Sequence, residues 1–354
     1  MKKLLMLLFI IFGSISLFGC VPGNNQDNPD EPGIQEQPND DEPKVQDLEF
    51  KYTMHEIVLK ENINTLVFEE YFYFGYYPQR EIYDTELLKV LNTITTFNDR
   101  GYIEYNGMEF AKVQIANNHI YAALDENVNT ENADQLFESG TGYEVGAIHY
   151  FLVEPLSWKV CSNVNGVLTL LTENVIDTHI YSQYTKERVI DGVTVYPSNY
   201  EHSDIRAWLN GPFIDICFTP EEKALLLDTE LKNEANLYEG SGNNPVKDNK
   251  TTDKVYILSF QEVSDSKYGY GLSGAGTTLF DRYAPATDYA RANGSIKHVI
   301  ENNNSSNWML RTCHIYSRLH ICFGGYDGFF EGKLFYPDAP NMGVRVACKI
   351  NFND

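Results

Sequence analysis

The 354 residues contain no His-Glu-x-x-His, no Walker-type phosphate loop and no Gly-x-Ser-x-Gly elbow. The zinc-peptidase, P-loop and serine-hydrolase chemistries that announce themselves locally therefore have no foothold here. Basic residues are scarce, 27 Lys and Arg against 50 Asp and Glu, for a formal net charge of −23. Such a surface argues against a nucleic-acid partner and against direct adhesion to anionic lipid. It is compatible with cationic partners or bound calcium (Ca2+), although a charged, soluble exterior is the plainer explanation. Cysteine is sparse. Apart from Cys20, the thiols are Cys161, Cys217, Cys313, Cys322 and Cys348, an odd number without the spacing of a disulfide scaffold, which leaves room for one or two bridges at most.

What is present begins with an apolar run over residues 4–18, preceded by Met1-Lys2-Lys3. The run has the length of a signal-peptide hydrophobic region and is too short to span a bilayer. It ends in Leu17-Phe18-Gly19-Cys20, which resembles the bacterial lipobox, with Phe18 an unusual residue before the glycine. The resemblance implies a lipoprotein signal peptide over 1–19, lipidation of Cys20 as the first mature residue, and an extracytoplasmic protein held on the membrane of the bacterial cell envelope by its lipid anchor. At about 0.8 kcal/mol per buried methylene, two or three acyl chains make such an anchor durable. The alternative is an ordinary secretory signal in which Gly19-Cys20 is coincidence.

Residues 21–47 carry five prolines, eight acidic residues and a single lysine, Lys44, with hardly a large apolar side chain. Such a segment cannot bury enough surface to offset its ordering entropy. With Cys20 it reads as a disordered acidic tether over 20–47, with a coil span of about 30 Å. The remainder, 48–354, is ample for one globular domain, and no second linker interrupts it.

Within that remainder, residues 67–77 and 150–160 are rich in aromatic and branched side chains and are expected as strands. Residues 100–113, centred on Asn106-Gly107, carry the strongest hairpin signal. Helices are expected behind a cap at Thr85 or a nearby residue, over 204–210 behind Ser203 with closure at Gly211-Pro212, and behind the capping box Thr219-Pro220-Glu221-Glu222. Strands are expected over 254–260, 308–311, 319–323 and 343–350. Strands at both ends with helices between, and no βαβ alternation, make an α+β fold.

One local cluster, Cys313-His314 with His320-x-Cys322, gathers four metal-binding residue types within ten positions. Its spacing fits no standard zinc pattern, so buried cysteines in two short strands are the expected outcome and no metal site is assigned. Glu201-His202-Ser203-Asp204 holds the ingredients of a catalytic triad, yet adjacent side chains cannot adopt the mutual geometry.

A series of phrases carries a family resemblance. They are Phe74-Gly75-Tyr76-Tyr77-Pro78-Gln79, Glu154-Pro155-Leu156-Ser157-Trp158-Lys159-Val160, Ser203-Asp204-Ile205-Arg206-Ala207-Trp208-Leu209-Asn210 and Phe218-Thr219-Pro220-Glu221-Glu222. After them come Asp253-Lys254-Val255-Tyr256-Ile257-Leu258-Ser259, Ala284-Pro285-Ala286-Thr287-Asp288-Tyr289-Ala290, Trp308-Met309-Leu310-Arg311 and Gly343-Val344-Arg345. In this order they are similar to the bacterial domain-of-unknown-function family DUF6273, over about residue 67 to the end. Asn199-Tyr200, Thr312 and Val346 depart from the pattern. The closing phrases also resemble the C-type-lectin-like fold, including the formylglycine-generating enzymes. That implies a mixed fold of short twisted antiparallel strands, few short helices and long loops.

Function does not follow from such a fold. Arg206, Arg311 and Arg345 lie in apolar phrases, where a guanidinium must find carboxylates or carbonyls. They are expected, with Asn210 and with Trp208 and Trp308 as packing anchors, to be structural. Ligand contact is expected from the loops 238–252 and 264–278, above all from Tyr268 and Tyr270 amid glycine and serine. The resulting expectation is a non-catalytic surface module for a glycan or protein ligand. The alternatives are an extracytoplasmic enzyme, either a hydrolase or one resembling the formylglycine-generating enzymes through Cys313 and Cys322, and a structural envelope protein.

Overall fold

Aromatic strands and glycine-bearing turns organise the chain. The computed structural model describes residues 71–115, 137, 146–233, 249–265, 283–296, 298–300, 303–314, 317–325 and 335–352, all within the unit Val45–Asp354. Cys20, the tether, Tyr268 and Tyr270 lie outside the described residues.

β1 (Tyr71–Glu81) bulges at Gly75, whose φ is +72°. A β-carbon there would stand 2.7 to 2.9 Å from Phe218 and Cys217 atoms, so both the backbone and the packing require glycine. α1 (Thr85–Thr93) is capped by Asp84, one residue earlier than Thr85, because the carboxylate reaches the N–H groups of Glu86 and Leu87 at 3.0 and 2.8 Å. β2 (Ile103–Tyr105) and β3 (Met108–Gln114) form the expected hairpin, with Asn106 and Gly107 both at positive φ. The same Asn-Gly device at 165–166 joins β4 (Ile148–Val164) to β5 (Val167–Thr172). At 17 residues β4 is far from short, and it pairs in different parts with β1, β3 and β5.

β6 (Asp177–Thr178) is followed by the exposed hairpin of β7 (Arg188–Ile190) and β8 (Val193–Val195). α2 (Asp204–Trp208) is capped by Ser203 as expected, but Gly211-Pro212 does not close it. The chain instead widens into a π turn, Leu209–Phe213, with Pro212 inside, and runs on as α3 (Ile214–Cys217). The physical reason is burial: the wider turn brings Leu209 and Phe213 into the core together, and the Asn210 amide takes up the Arg206 carbonyl at 3.2 Å. α4 (Pro220–Leu225) shows the complete Thr219–Glu222 capping box.

β9 (Thr229–Asn233) pairs with β10 (Asn249–Asp253), and β11 (Val255–Tyr256) follows. The strand expected over 254–260 is cut to two residues. Beyond Tyr256 the carbonyls of Ile257 and Leu258 go to Arg311 rather than to a neighbouring ladder. α5 (Asp288–Ala292) precedes β12 (His298–Ile300), β13 (Asn303–Ser305), β14 (Trp308–His314) and β15 (Ser317–Gly324). The single strand expected over 343–350 is two, β16 (Gly343–Val344) and β17 (Ala347–Asn351), which belong to different sheets and part at Arg345.

Among the described residues the main sheet runs β11-β17-β5-β4-β3-β2 with β1 on β4, and a second runs β15-β14-β16-β6. The pairings are antiparallel except β14 with β16. The fold is thus mixed α+β, with mostly antiparallel strands and few short helices. Its largest hydrophobic cluster includes Trp158, Trp308, Phe213, Tyr256, Leu170 and Ile350, drawn from both sheets.

Candidate functional site

The arginines of the recurrent phrases are fastened internally. Arg206 Nε donates to Asp253 Oδ1 at 2.7 Å and Nη1 to the Glu201 carbonyl at 2.9 Å, tying α2 to β10. Asn210 continues the seam: its amide donates to the Val255 carbonyl, and its oxygen accepts from the N–H groups of Lys254 and Val255. Arg345 gives Nε and Nη2 to the Thr172 carbonyl at 3.1 and 3.0 Å, and its guanidinium lies 4.9 Å over the Trp308 ring. Arg311 pairs with Glu262 and donates to the Ile257 carbonyl at 2.9 Å. Burial pushes the Glu262 carboxyl up, but the Arg311 charge and the Ser259 and Arg311 hydrogen bonds outweigh it and hold it below 4.5. Trp308 is fully buried, whereas Trp208 is half-buried, stacked on His179 at 4.9 Å with Phe213 at 5.1 Å.

α5 carries two buried polar groupings that sequence reading did not single out. On one side Asp177 accepts from Tyr77 Oη at 2.5 Å, Thr178 N at 2.7 Å and Asn293 Nδ2 at 2.9 Å. Burial raises this carboxyl although all three hydrogen bonds oppose the shift, and burial likewise raises the Tyr77 and Tyr289 phenols. With three donors on it, Asp177 is a hub that joins β1, β6 and the end of α5. On the other side Asp288 accepts from the Glu81 N–H at 3.2 Å and from Arg291 Nη1 at 3.2 Å. Glu81 Oε1 in turn meets His149 Nδ1 at 2.6 Å, and His149 Nε2, fully buried beside the Phe137 ring, has no hydrogen-bond partner. A carboxylate on Nδ1 with Nε2 left over is how an imidazole is oriented to move a proton. These residues come from β1, β4, β6 and α5. Their only trace in the sequence is polarity inside apolar runs, such as His149 within Ile148-His149-Tyr150-Phe151.

The five described thiols are buried and unbridged. Burial pushes Cys161 up to about 12, and raises Cys217 and Cys348 as well, so these three stay protonated and inert. Cys313 and Cys322 sit on the paired strands β14 and β15, where Cys313 Sγ receives the Ser198 hydroxyl at 3.2 Å. His320, also on β15, bonds Ser317 through Nδ1 at 2.6 Å, and burial followed by the His314 charge lowers its pKa. Among the described residues no three His, Cys, Asp or Glu side chains converge to hold a metal.

The phrases, the two sheets and the seams between them define a mixed α+β domain, and they can be set beside known families. Residues 165–352 match Domain of unknown function (DUF6273). The chain belongs to that family. The matched span includes Arg206, Arg311 and Arg345 but begins after the first two phrases of the resemblance, so it is shorter than the expected stretch from residue 67. No curated protein and no solved structure matches the chain.

Proposed function

We propose that this DUF6273 protein is a lipid-anchored, extracytoplasmic surface protein of the bacterial envelope, and that its domain, C-type-lectin-like in fold, is a binding module for glycan or protein ligands. The observation that carries the reading is where the guanidinium groups go. Arg206, Arg311 and Arg345 each bridge separate elements, which supports a structural role for them; ligand contact is assigned to Tyr268 and Tyr270 on the strength of their glycine- and serine-rich sequence. The lipobox-like sequence supplies the anchor and the acidic tether the reach.

Two measurements test it. Radiolabelled palmitate should enter the wild type and not Cys20→Ala; equal labelling removes the anchor from the proposal. On glycan and protein arrays the wild type should select a ligand that the Tyr268→Ala/Tyr270→Ala double variant binds at least tenfold more weakly. Each tyrosine replacement should leave stability within about 0.5 kcal/mol, as expected for surface changes.

The Glu81–His149 pair favours a second reading, an extracytoplasmic hydrolase in which His149 Nε2 is the general base. In a broad esterase, peptidase and glycosidase screen, turnover by the wild type that falls at least a hundredfold in His149→Asn establishes this reading. Turnover unaffected by His149→Asn dismisses it.

A further inference from the structure

Acidic residues outnumber basic ones in this chain, 50 to 27, and its arginines are accordingly matched. Among the described residues Arg80, Arg100, Arg206, Arg291 and Arg311 each meet a carboxylate, and Arg345 is sunk in the core on backbone carbonyls. Arg188 is different. It opens the exposed β7–β8 hairpin, and no carboxylate among the described residues pairs with it.

Two neutral contacts hold its guanidinium instead. Cζ lies 3.8 Å from the centre of the Tyr184 ring, and Nη2 donates to the His202 carbonyl at 2.7 Å. Both supports are themselves fixed. The Tyr184 N–H donates to the hydroxyl of buried Ser182 at 3.3 Å, and the His202 N–H donates to Asn199 Oδ1 at 3.0 Å. The carboxylates that flank His202 in the chain are engaged elsewhere: Asp204 accepts from the N–H and the side-chain amide of Gln183, and Glu201 accepts from Asn249 at 2.9 Å.

A guanidinium placed by two contacts, with its Nε–H and Nη1–H groups unbonded among the described residues, is a fork set for a planar charged acceptor. A carboxylate fits it, because two oxygens in one plane meet two N–H donors. Tyr184 limits what can carry that carboxylate. Its ring is 42% exposed beside the fork, so the matching ligand presents an apolar face next to its charge. An acidic sugar does this, with the carboxylate fixed to a ring whose C–H face can lie on an aromatic side chain; an inorganic anion does not. The formal charge of −23 repels a polyanion at long range, which leaves a ligand of few charges held by contact.

We propose that Arg188 and Tyr184 form a subsite for the carboxylate of an acidic sugar of the uronic acid class. The inference rests on the binding-module reading and adds a contact to those assigned to Tyr268 and Tyr270.

Calorimetric titration of the mature chain with methyl glucuronide and with methyl glucoside, its counterpart without the carboxylate, tests the subsite. The glucuronide should bind the wild type about tenfold or more tightly than the glucoside, as a charge-assisted bidentate contact requires. Arg188→Gln should abolish that difference, and Arg188→Lys, which keeps the charge but not the fork, should not restore it. Tyr184→Ala should weaken the glucuronide as well. Melting temperatures should match the wild type, since both residues reach the surface. If Arg188→Gln does not fold, the two glycosides on wild type and Tyr184→Ala decide. Equal affinity of the wild type for both glycosides, or glucuronide affinity untouched by Arg188→Gln, overturns the subsite. Acetate or inorganic phosphate bound as tightly as the glucuronide marks a simple anion site and overturns the sugar assignment. So does a short peptide whose C-terminal carboxylate binds through Arg188 while the glucuronide does not bind. An array ligand that depends on Tyr268 and Tyr270, with no binding of the glucuronide, overturns the subsite and leaves the binding module standing. No ligand of any kind removes both.

Discussion

Arg311→Met should destabilise the domain by about 3–5 kcal/mol, the cost of leaving one member of a buried ion pair uncompensated. Methionine keeps much of the volume but strips Glu262 of its charged partner and the Ile257 carbonyl of the Arg311 donor. The pH dependence distinguishes this from a packing defect. In the wild type Glu262 is held below its ordinary 4.5, so its contribution is present above that pH and is lost as pH falls through the folded value. In the variant burial, which raises the carboxyl and is its largest influence, is opposed only by the Ser259 hydrogen bonds, because the Arg311 charge and hydrogen bond are gone. The variant is then relatively favoured in acid and loses stability as pH rises through the raised value. Denaturant unfolding at pH 7 and pH 4 should show a gap between the two proteins that narrows on acidification. An equal gap at both pH values would mean that Glu262 is not the residue left exposed to the loss.

Gly343→Ala should be nearly as damaging, at the upper end of the roughly 1–3 kcal/mol typical of overpacking, or beyond it. Its β-carbon would stand 2.5 Å from the Asn307 carbonyl oxygen and 2.5 Å from a Val175 methyl. Neither can withdraw easily, because Gly343 N–H already bonds the Asn307 carbonyl and Val175 is fully buried in the core. Gly211→Ala is the control: no atom lies within 4 Å of the added methyl, so a melting-temperature scan should show little change. A Gly343→Ala protein that melts with the wild type would mean that β16 does not pack between β14 and β6 as described.

What was legible in the sequence is what short-range physics dictates. The Asn106-Gly107 turn, the Ser203 cap and the Thr219 capping box each depend on residues a few positions apart, and each lies where the pattern placed it. The need of three arginines for buried partners could also be read, but not the partners' identity. Glu262 and Asp253 lie 49 and 47 residues from Arg311 and Arg206, and nothing local distinguishes them among 50 acidic residues. The extension through Pro212 and the break at Arg345 went unread for a related reason. In both places tertiary burial overrides a local stop or a local run of strand-forming residues. The Glu81–His149 pair was invisible because its members are 68 residues apart on different strands.

The division of residues 343–351 between two sheets has a kinetic meaning. β17 lies between β11 and β5, where Ala347 pairs with Leu171 and Asn351 with Val167. Until that distant strand arrives, β5 is an open edge rich in leucine, and the second sheet lacks the β16 link between β14 and β6. Contacts of such sequence separation form slowly, because loop closure must come before any pairing rewards it. Folding of this domain should therefore end, not begin, with the crossing at Arg345, and any nascent or nicked form without β17 presents a strand edge open to association with other chains.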